Sequence, residues 1–347
     1  EFSHAARAEG IKPILGIEAY VAADRNGKPG DRLDRTHTGV KDGGFHLVLL
    51  AQNLTGWRHL MRLSSDAYAK GFYYKPRMDK STLGKWNDGL IAINGHLGSS
   101  IASHLTNYVQ NNDQEHWILA VNEAKWHAET FGPDEEGKPR FYIELQRHVP
   151  EQERINPHLK RLAKELDLPL IIDNDAHFLT ADDHDAHDTL CCVSMAKNKD
   201  DPDRFRYPES LYVKSPAEMA ELFPGEDEQE ALANTLDVAS RCNVEFELGE
   251  SHTPVVEVVH PGEPPAYDGG DLTDWFKRYC DAFELKPFDA ETSDLSVENL
   301  KVGCDKALRD LSEAGLTWRY GVEGVTDEIR ARLERELKIL ADKEISA

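Results

Sequence analysis

The sequence has no run of about 18 consecutive apolar residues, the length at which a segment becomes a candidate for a membrane-spanning helix. Its mean hydropathy is −0.57. The first residues, EFSHAARAEG, also lack the basic start and the apolar stretch of a secretory signal. These absences exclude membrane-spanning and secreted proteins from the classes that we expect.

Cysteine is scarce, and its spacing contains no CxxC pair. The chain has five cysteines: Cys191, Cys192, Cys242, Cys280 and Cys304. An odd number of cysteines without a secretion signal is typical of a protein kept in a reducing compartment. We therefore predict a cytoplasmic protein without disulfides, in which the cysteines serve as small buried side chains.

Basic residues are in the minority. The chain has 40 Lys and Arg against 63 Asp and Glu, which gives a formal net charge of −23 at pH 7. Such an acidic surface repels phosphate backbones unless basic residues are concentrated locally. A protein that coats nucleic acid along its length is therefore not expected.

An initiator Met is also missing. The opening EFSHAARAEGIKP has the pattern of a helix that runs into a strand. We therefore expect a fragment whose natural N-terminus lies upstream. The length of 347 residues is enough for one large domain or two ordinary ones.

Strand-like and helix-like segments alternate up to about residue 195. The strand-like segments are short, apolar and bounded by Gly, Pro, Asn or Asp: IKPILGIEAYVA, FHLVLLAQ, GLIAING, RFYIELQ and LPLIIDND. The helix-like segments between them are LTGWRHLMRLSSDAYAK, QEHWILAVNEAKWHAETFG and EQERINPHLKRLAKEL. The last has Ile155, Leu159, Leu162 and Leu166 on one face. This order predicts an α/β fold with parallel strands.

The pattern changes after residue 197. KNKDDPDRFRYPES predicts a polar loop, LYVKSPAEMAELF a strand and then a helix capped by Ser215, and QEALANTLDVASRC another helix. The stretch from about 254 to 272 is rich in Pro and Gly, so we predict a domain boundary there. Three charged helical segments follow it.

Five polar residues lie in or next to the predicted strands. They are Glu18, His46, His96, Asp175 and His177. Active and binding sites of parallel α/β folds lie at the C-terminal ends of the strands, so these side chains are expected to converge. Carboxylates and imidazoles can hold Zn, Mn or Fe, and neighbouring metal ions are suited to the hydrolysis of phosphoesters.

Each of these residues also has a plainer interpretation. Asp175 could be a turn residue and His177 an interface histidine, although in an extended segment the two would point to the same side. His46 and His96 are less diagnostic alone, whereas Glu18 in an apolar strand would be costly without a partner.

The acidic residues that follow His177 are better explained as part of a helix N-terminus. Thr180 followed by Asp183 fits a capping pair, so Asp182 and Asp183 are assigned to the next helix. His184 and His187 lie in the first turns of that helix, and His187 is the better placed of the two to reach the site.

The motifs together carry a specific resemblance. Seven ordered segments closely resemble the N-terminal PHP (polymerase and histidinol phosphatase) domain of bacterial replicative DNA polymerase III alpha subunits: GIKPILGIEAYVA, FHLVLLAQNLTGWRHLMRLSSDAY, GFYYKPRMD, GLIAINGHLG, FYIELQRHVPEQERINPHL, LIIDNDAHFLTADDHDAHDTLCC and FRYPESLYVKSPAEM. The resemblance implies a PHP domain over residues 1–255, a linker with a lineage-specific insertion over 256–305, and the start of the polymerase palm over 306–347.

The implied fold is a distorted (β/α)7 barrel that lacks its first strands, with an exposed sheet edge, followed by a mostly helical extension that leads into the palm. By motif, the resemblance implies that Glu18, His46, Asp175 and His177 are ligands of Zn, Mn or Fe, and His96 stands where the family commonly has Cys. Arg77 in YYKPRMD is similar to an arginine near that site, where it would hold a phosphate; its plainer interpretation is a surface salt bridge.

The implied parent is a DNA-directed DNA polymerase, a nucleotidyltransferase of chromosome replication that uses Mg, acts on DNA at the primer 3′ end, and binds the sliding clamp and a proofreading subunit. For this segment the resemblance implies 3′–5′ exonuclease chemistry. The family's opening HxH motif has no counterpart, so the complete metal cluster is not expected from these residues alone. The alternative is a non-catalytic module that stabilises the polymerase and docks a proofreading subunit. A free-standing phosphatase is disfavoured by YYKPRMD and by the palm-like end.

Overall fold

The computed structural model of the chain describes residues 1–22, 44–246, 255–260, 262–288, 293, 295–343 and 345. The chain divides into two units, Glu1–Phe246 and Glu247–Ala347. The residues just before the predicted PHP limit at 255 lie outside the described part of the chain. The predicted limit at 305 falls within a helix of the second unit, and the assignment of a linker and a palm stays a prediction.

Six strands of the first unit form one mixed sheet in the order β3-β1-β2-β4-β5-β6. Their bounds are β1 Gly16–Ala22, β2 Phe45–Ala51, β3 Arg77–Asp79, β4 Leu90–Asn94, β5 Phe141–Leu145 and β6 Leu170–Ile172. The five predicted strands are confirmed, and β3 is an additional one. The α/β fold is therefore confirmed, whereas the closed barrel stays a prediction.

The expectation that the strands are all parallel is wrong for β2. This strand runs antiparallel to both of its neighbours, β1 and β4, while the other pairs are parallel. The sequence before β2, residues 23–43, is polar and lacks the periodic apolar pattern of the helix that usually joins parallel strands. Because of this reversal, the first residues of β2 lie next to the last residues of β1 and β4.

Helices accompany this sheet. Their bounds are α1 Phe2–Ala8, α2 Leu54–Lys70, α3 Lys80–Leu83, α4 Ser100–Asn111, α5 Gln114–Phe131, α6 Pro150–Leu166, α7 His184–Met195, α8 Pro216–Leu222 and α9 Glu226–Arg241. The predicted apolar face of α6 is confirmed, because Ile155, Leu159 and Leu162 are buried in the main core. The strand expected in LYVKSPAEM is wrong: Tyr212 forms only an isolated bridge with Phe178.

The two faces of the sheet have different apolar neighbours. Leu47 and Leu49 of β2 belong to the main core, which also includes buried residues of α2, α4, α5 and α6. On the other face Ile91 and Ile93 of β4 pack in a second cluster with Val238 of α9. Alternate side chains of each strand are thus buried on opposite faces, which fixes the register of the strands that carry the polar residues.

The second unit contains one hairpin and three helices within its described residues. The hairpin pairs β7 Val256–Val259 with β8 Glu284–Pro287, and the helices are α10 Leu272–Cys280, α11 Val297–Tyr320 and α12 Asp327–Asp342. The three predicted helical segments are confirmed. No helix in the described part of either unit is long and apolar enough to cross a membrane.

Gly56 of α2 gives a direct test of how the helix packs against the turn before β4. A Cβ at this position would lie 1.9 Å from the carbonyl oxygen of Gly89. We expect Gly56→Ala to lower the free energy of unfolding by about 1–3 kcal/mol in urea titrations, as overpacking does. The matched control is Gly303→Ala in α11, where a Cβ meets nothing within 4 Å and helix propensity favours Ala. Equal stability of the two variants would contradict this packing.

Candidate metal centre

Three of the predicted ligands converge. Glu18 of β1, His46 of β2 and His96 after β4 each offer one ligand atom, and these atoms all lie within 4.8 Å of one another. His46 Nδ1 and Glu18 Oε1 are 2.6 Å apart, and the rings of His46 and His96 are 5.2 Å apart between centroids. In the described part of the chain this is the one such group of three or more His, Cys, Asp or Glu residues.

The antiparallel pairing of β1 with β2 brings Glu18 and His46 together. Glu18 is opposite Val48, and His46 is opposite Tyr20, so the four side chains share one face of the sheet. Glu18 is 44% exposed rather than buried without a partner. Its pKa is lowered, chiefly by the hydrogen bond from His46 and against the opposing effect of partial burial, so the carboxylate is ionised near neutral pH.

Gly98 links the two imidazoles of the cluster. Its carbonyl accepts the backbone N–H of His46 at 2.8 Å, and its own N–H donates to His96 Nδ1 at 3.1 Å. A Cβ on Gly98 would lie 2.8 Å from His96 Cε1 and 2.9 Å from His46 Nδ1. Glycine is therefore required here by the close approach of both rings.

His96 is more buried than Glu18. Burial lowers the pKa of its imidazole, which keeps the ring neutral and able to act as a ligand. Its Nε2 is buried and has no hydrogen-bond partner. Because Nδ1 accepts from Gly98, the neutral ring carries its proton on Nε2, and this buried N–H has no acceptor. A metal bound to Nε2 would require this proton to move to Nδ1, in place of the bond from Gly98.

Asp175 and His177 follow β6, as expected, but they are not members of the three-residue group. His177 Nδ1 donates to the backbone carbonyl of Asp175 at 2.6 Å. Asp175 has φ of 44°, in the left-handed region, so the extended geometry expected for this DxH pair is wrong. The pKa of Asp175 is raised by burial, against the effect of His177, and the nearby charge of Glu18 raises it further. The pair therefore lies within electrostatic reach of the cluster.

A buried acid that the sequence reasoning missed lies behind the cluster. Glu144 of β5 is 1% exposed, and Gln146 Nε2 donates both to Glu144 Oε1 at 2.7 Å and to Asp173 Oδ1 at 2.8 Å. Burial and the adjacent Asp173 hold the pKa of Glu144 well above its ordinary value. The signal was present in FYIEL, where a glutamate interrupts an apolar strand just as Glu18 does.

Arg77 lies in β3 and is 3% exposed, so it is not a surface residue. Its Nε donates to the carbonyl of Gly71 at 3.1 Å, and its guanidinium lies 5.4 Å from the ring centre of Tyr73. β3 pairs with β1 through Tyr20 and Arg77, so this arginine is one strand away from Glu18. A phosphate contact by Arg77 stays a prediction.

The helix after the DxH pair begins as predicted. Thr180 and Asp183 form the predicted pair at the helix start, with Asp183 Oδ2 accepting from both the N–H and the hydroxyl of Thr180 at 2.9 Å. The first turns of this helix, α7, face a residue that the sequence reasoning did not single out. The ring of Tyr207 lies 4.4 Å from that of His177 and 5.3 Å from that of His187.

The cysteines are free, as predicted, and only some of them are fully buried. Cys192, Cys242 and Cys304 are buried, whereas Cys191 and Cys280 are half-buried. Cys191 Sγ lies 3.8 Å from His187 Nε2. Burial raises the pKa of the Cys191 thiol, so it stays protonated near neutral pH.

Comparison with known proteins gives consistent results. Residues 1–148 match the family model described as PHP domain. The chain is similar to "DNA polymerase III subunit alpha" of Thermus aquaticus, with 39% identity over 72% of the chain and 19% of the relative. The proteins of the same name from Campylobacter jejuni and Treponema pallidum are 32% and 36% identical over 100% and 98% of the chain, and over 26% and 24% of their own length.

The chain thus spans roughly a fifth to a quarter of the length of these curated relatives. The family model covers Glu18, His46 and His96, and the alignments with two of the relatives extend over nearly the whole chain. The chain therefore belongs to the DNA polymerase III alpha subunit family, corresponds to one part of those proteins, and carries a PHP domain.

Proposed function

We propose that the chain is part of a replicative DNA polymerase III alpha subunit, and that its own site hydrolyses a phosphodiester bond at a DNA 3′ end with the help of divalent metal. The observation that carries the proposal is the convergence of Glu18, His46 and His96 within 4.8 Å. The names of the relatives support the link to DNA.

The donor set fits a divalent metal. One carboxylate and two imidazoles suit Zn, Mn or Fe, and their ligand atoms lie within 4.8 Å of one another. When bound, such ions polarise the phosphoryl group, provide hydroxide near neutral pH and stabilise the leaving oxygen.

The chain's own residues have distinct roles in this proposal. Glu18, His46 and His96 would hold the ion, and Gly98 fixes the two imidazoles. His177 commits its Nδ1 to the Asp175 carbonyl, which leaves Nε2 as the nitrogen that can hold a proton for the leaving 3′ oxygen. The acidic surface is compatible with this role, because only a strand end must enter the site.

The wider assignments belong to the same proposal. The parent would be a DNA-directed DNA polymerase of the cytoplasm that uses Mg at its own active site. Its partners would be the primer and template DNA, the sliding clamp and a proofreading subunit. The names of the relatives, of which this chain covers only a part, support the DNA polymerase, and the other assignments follow from the family resemblance.

One observation favours a second candidate function. Only three of the five predicted ligands fall in the same 4.8 Å group, and Asp175 and His177 are not among them. A site with fewer converging ligands suits a PHP domain that has a structural role, stabilising the polymerase and docking a separate proofreading subunit.

An excision assay separates the two functions. With Mn or Zn supplied, we expect removal of a mismatched 3′ nucleotide, and we expect Asp175→Ala or His177→Ala to slow it by roughly 100-fold or more because positioned acid–base groups contribute at least that much. Asp182→Ala, at an exposed position in the helix N-terminus, is the control and should leave the rate unchanged. Unchanged excision in both site variants would remove these residues from the mechanism. Bound metal without any excision would favour the structural role.

The role of Gly98 gives an independent prediction for metal binding. Gly98→Ala would push the added methyl group against both imidazoles, so we expect the affinity for Zn, measured by calorimetry, to fall about 10- to 100-fold, as it does when groups that orient metal ligands are changed. Gly262→Ala is the control, since a Cβ there meets nothing within 4 Å. Equal Zn affinity in the two variants would contradict the proposed arrangement of the centre.

A further inference from the structure

The loop between α7 and α8 is fixed to α7 by a buried ion pair. Arg204 Nη1 and Nη2 donate to Asp188 Oδ1 and Oδ2 at 2.5 and 2.6 Å, and both residues are 8% exposed. Arg204 Nε also donates to the carbonyl of Lys199 at 2.9 Å. Paired, two-pronged bonds of this kind hold a side chain in one orientation. The residues that follow Arg204 are therefore presented on an ordered backbone.

Two aromatic rings lead from this anchor to the candidate metal centre. Phe205 is 56% exposed, and its ring lies 4.8 Å from that of Tyr207 with the planes at 89°. Tyr207 in turn lies 4.4 Å from the ring of His177. The loop thus holds a solvent-facing ring next to a half-buried ring that contacts a residue of the site.

Tyr207 also lies close to the rest of the centre. Its pKa is raised by burial, and the negative charges that add to the effect include those of Asp175 and Glu18. On the β1 side of the centre the ring of Tyr20 contacts His46 edge-on at 4.9 Å, and Lys75 Nζ lies 5.5 Å from the Tyr20 ring centre. The centre is therefore bordered by aromatic rings at both His46 and His177.

We propose that Phe205 and Tyr207 form a stacking platform for the unpaired terminal bases of the DNA strand whose end reaches the metal centre. This inference rests on the proposed function. Every base has a flat face that can stack on an aromatic ring, so such a platform accepts any sequence. In duplex DNA these faces are covered by neighbouring bases, so the platform selects ends that have come unpaired.

The charge of the chain favours stacking over attraction of the backbone. A net charge of −23 works against a general attraction for phosphates, so the affinity for a strand end has to come from local contacts. Stacking supplies such contacts without a basic surface. The selection of unpaired ends also matches the proposed chemistry, since a mismatched 3′ end is the substrate of an excision reaction.

The test measures binding apart from hydrolysis. Fluorescence anisotropy is read with a labelled primer–template that carries three mismatched 3′ nucleotides joined by phosphorothioate linkages, and with a fully paired version. Phe205→Ala should weaken binding of the mismatched DNA by about 5- to 150-fold, the equivalent of one stacked base. Phe205→Trp should restore it, and Tyr207→Phe should leave it intact. Phe2→Ala, at another exposed phenylalanine of 66% exposure, is the matched control.

The outcomes separate this inference from the proposed function. Unchanged binding in Phe205→Ala, or a wild-type protein that does not prefer the mismatched DNA, overturns the platform even if excision occurs. Weakened binding in Phe205→Ala with rescue by Phe205→Trp supports the platform even if the protein excises nothing. Thermal melting checks that Phe205→Ala is folded, and Tyr207→Ala provides a second variant that should show the same loss of preference for unpaired ends.

Discussion

The antiparallel direction of β2 is the constraint on which the site depends. It places His46 opposite Tyr20 and diagonal to Glu18, and it lets the N–H of His46 bond to the carbonyl of Gly98 in the turn after β4. That turn carries His96. If β2 ran parallel to its neighbours, its first residues would lie next to the first residues of β1 and β4, and the three ligand atoms would not meet.

The site also depends on opposite pKa shifts in an exposed and a buried glutamate. The hydrogen bond from His46 lowers the pKa of the partly exposed Glu18, while burial and the adjacent Asp173 raise the pKa of the fully enclosed Glu144. A buried carboxylate that carries no charge avoids the large desolvation penalty of an ion in the interior. The charged form is thus favoured in the carboxylate that would face a metal, and the neutral form is favoured in the buried acid.

The strands, the apolar face of α6 and the cap at Thr180 could be predicted because each depends on local periodicity or on a local pair of side chains. Glu18, His46 and His96 could be proposed from the positions of polar residues relative to apolar runs. The direction of β2 could not be predicted, because the sequence that connects β1 to β2 does not have the pattern of a helix or of a short turn. The alternative interpretation of Arg77, a surface salt bridge, assumed an exposed side chain. Arg77 is buried because it lies in β3, and a strand of only three residues is too short to be recognised from the sequence.

Other residues were missed for a different reason. Tyr207 and Phe205 lie in a polar loop, and the sequence does not reveal the pairing of Arg204 with Asp188 that holds this loop against α7. Asp175 was expected in an extended segment, and its left-handed backbone was not visible in a sequence without glycine at that point.

The central claim is that Glu18, His46 and His96 form a metal site. Crystals soaked in Zn and measured at the Zn absorption edge test it most directly. The account predicts an anomalous peak bonded to Glu18 and to both imidazoles. Zn bound elsewhere, or no peak at this position under conditions in which the protein binds Zn in solution, would contradict it.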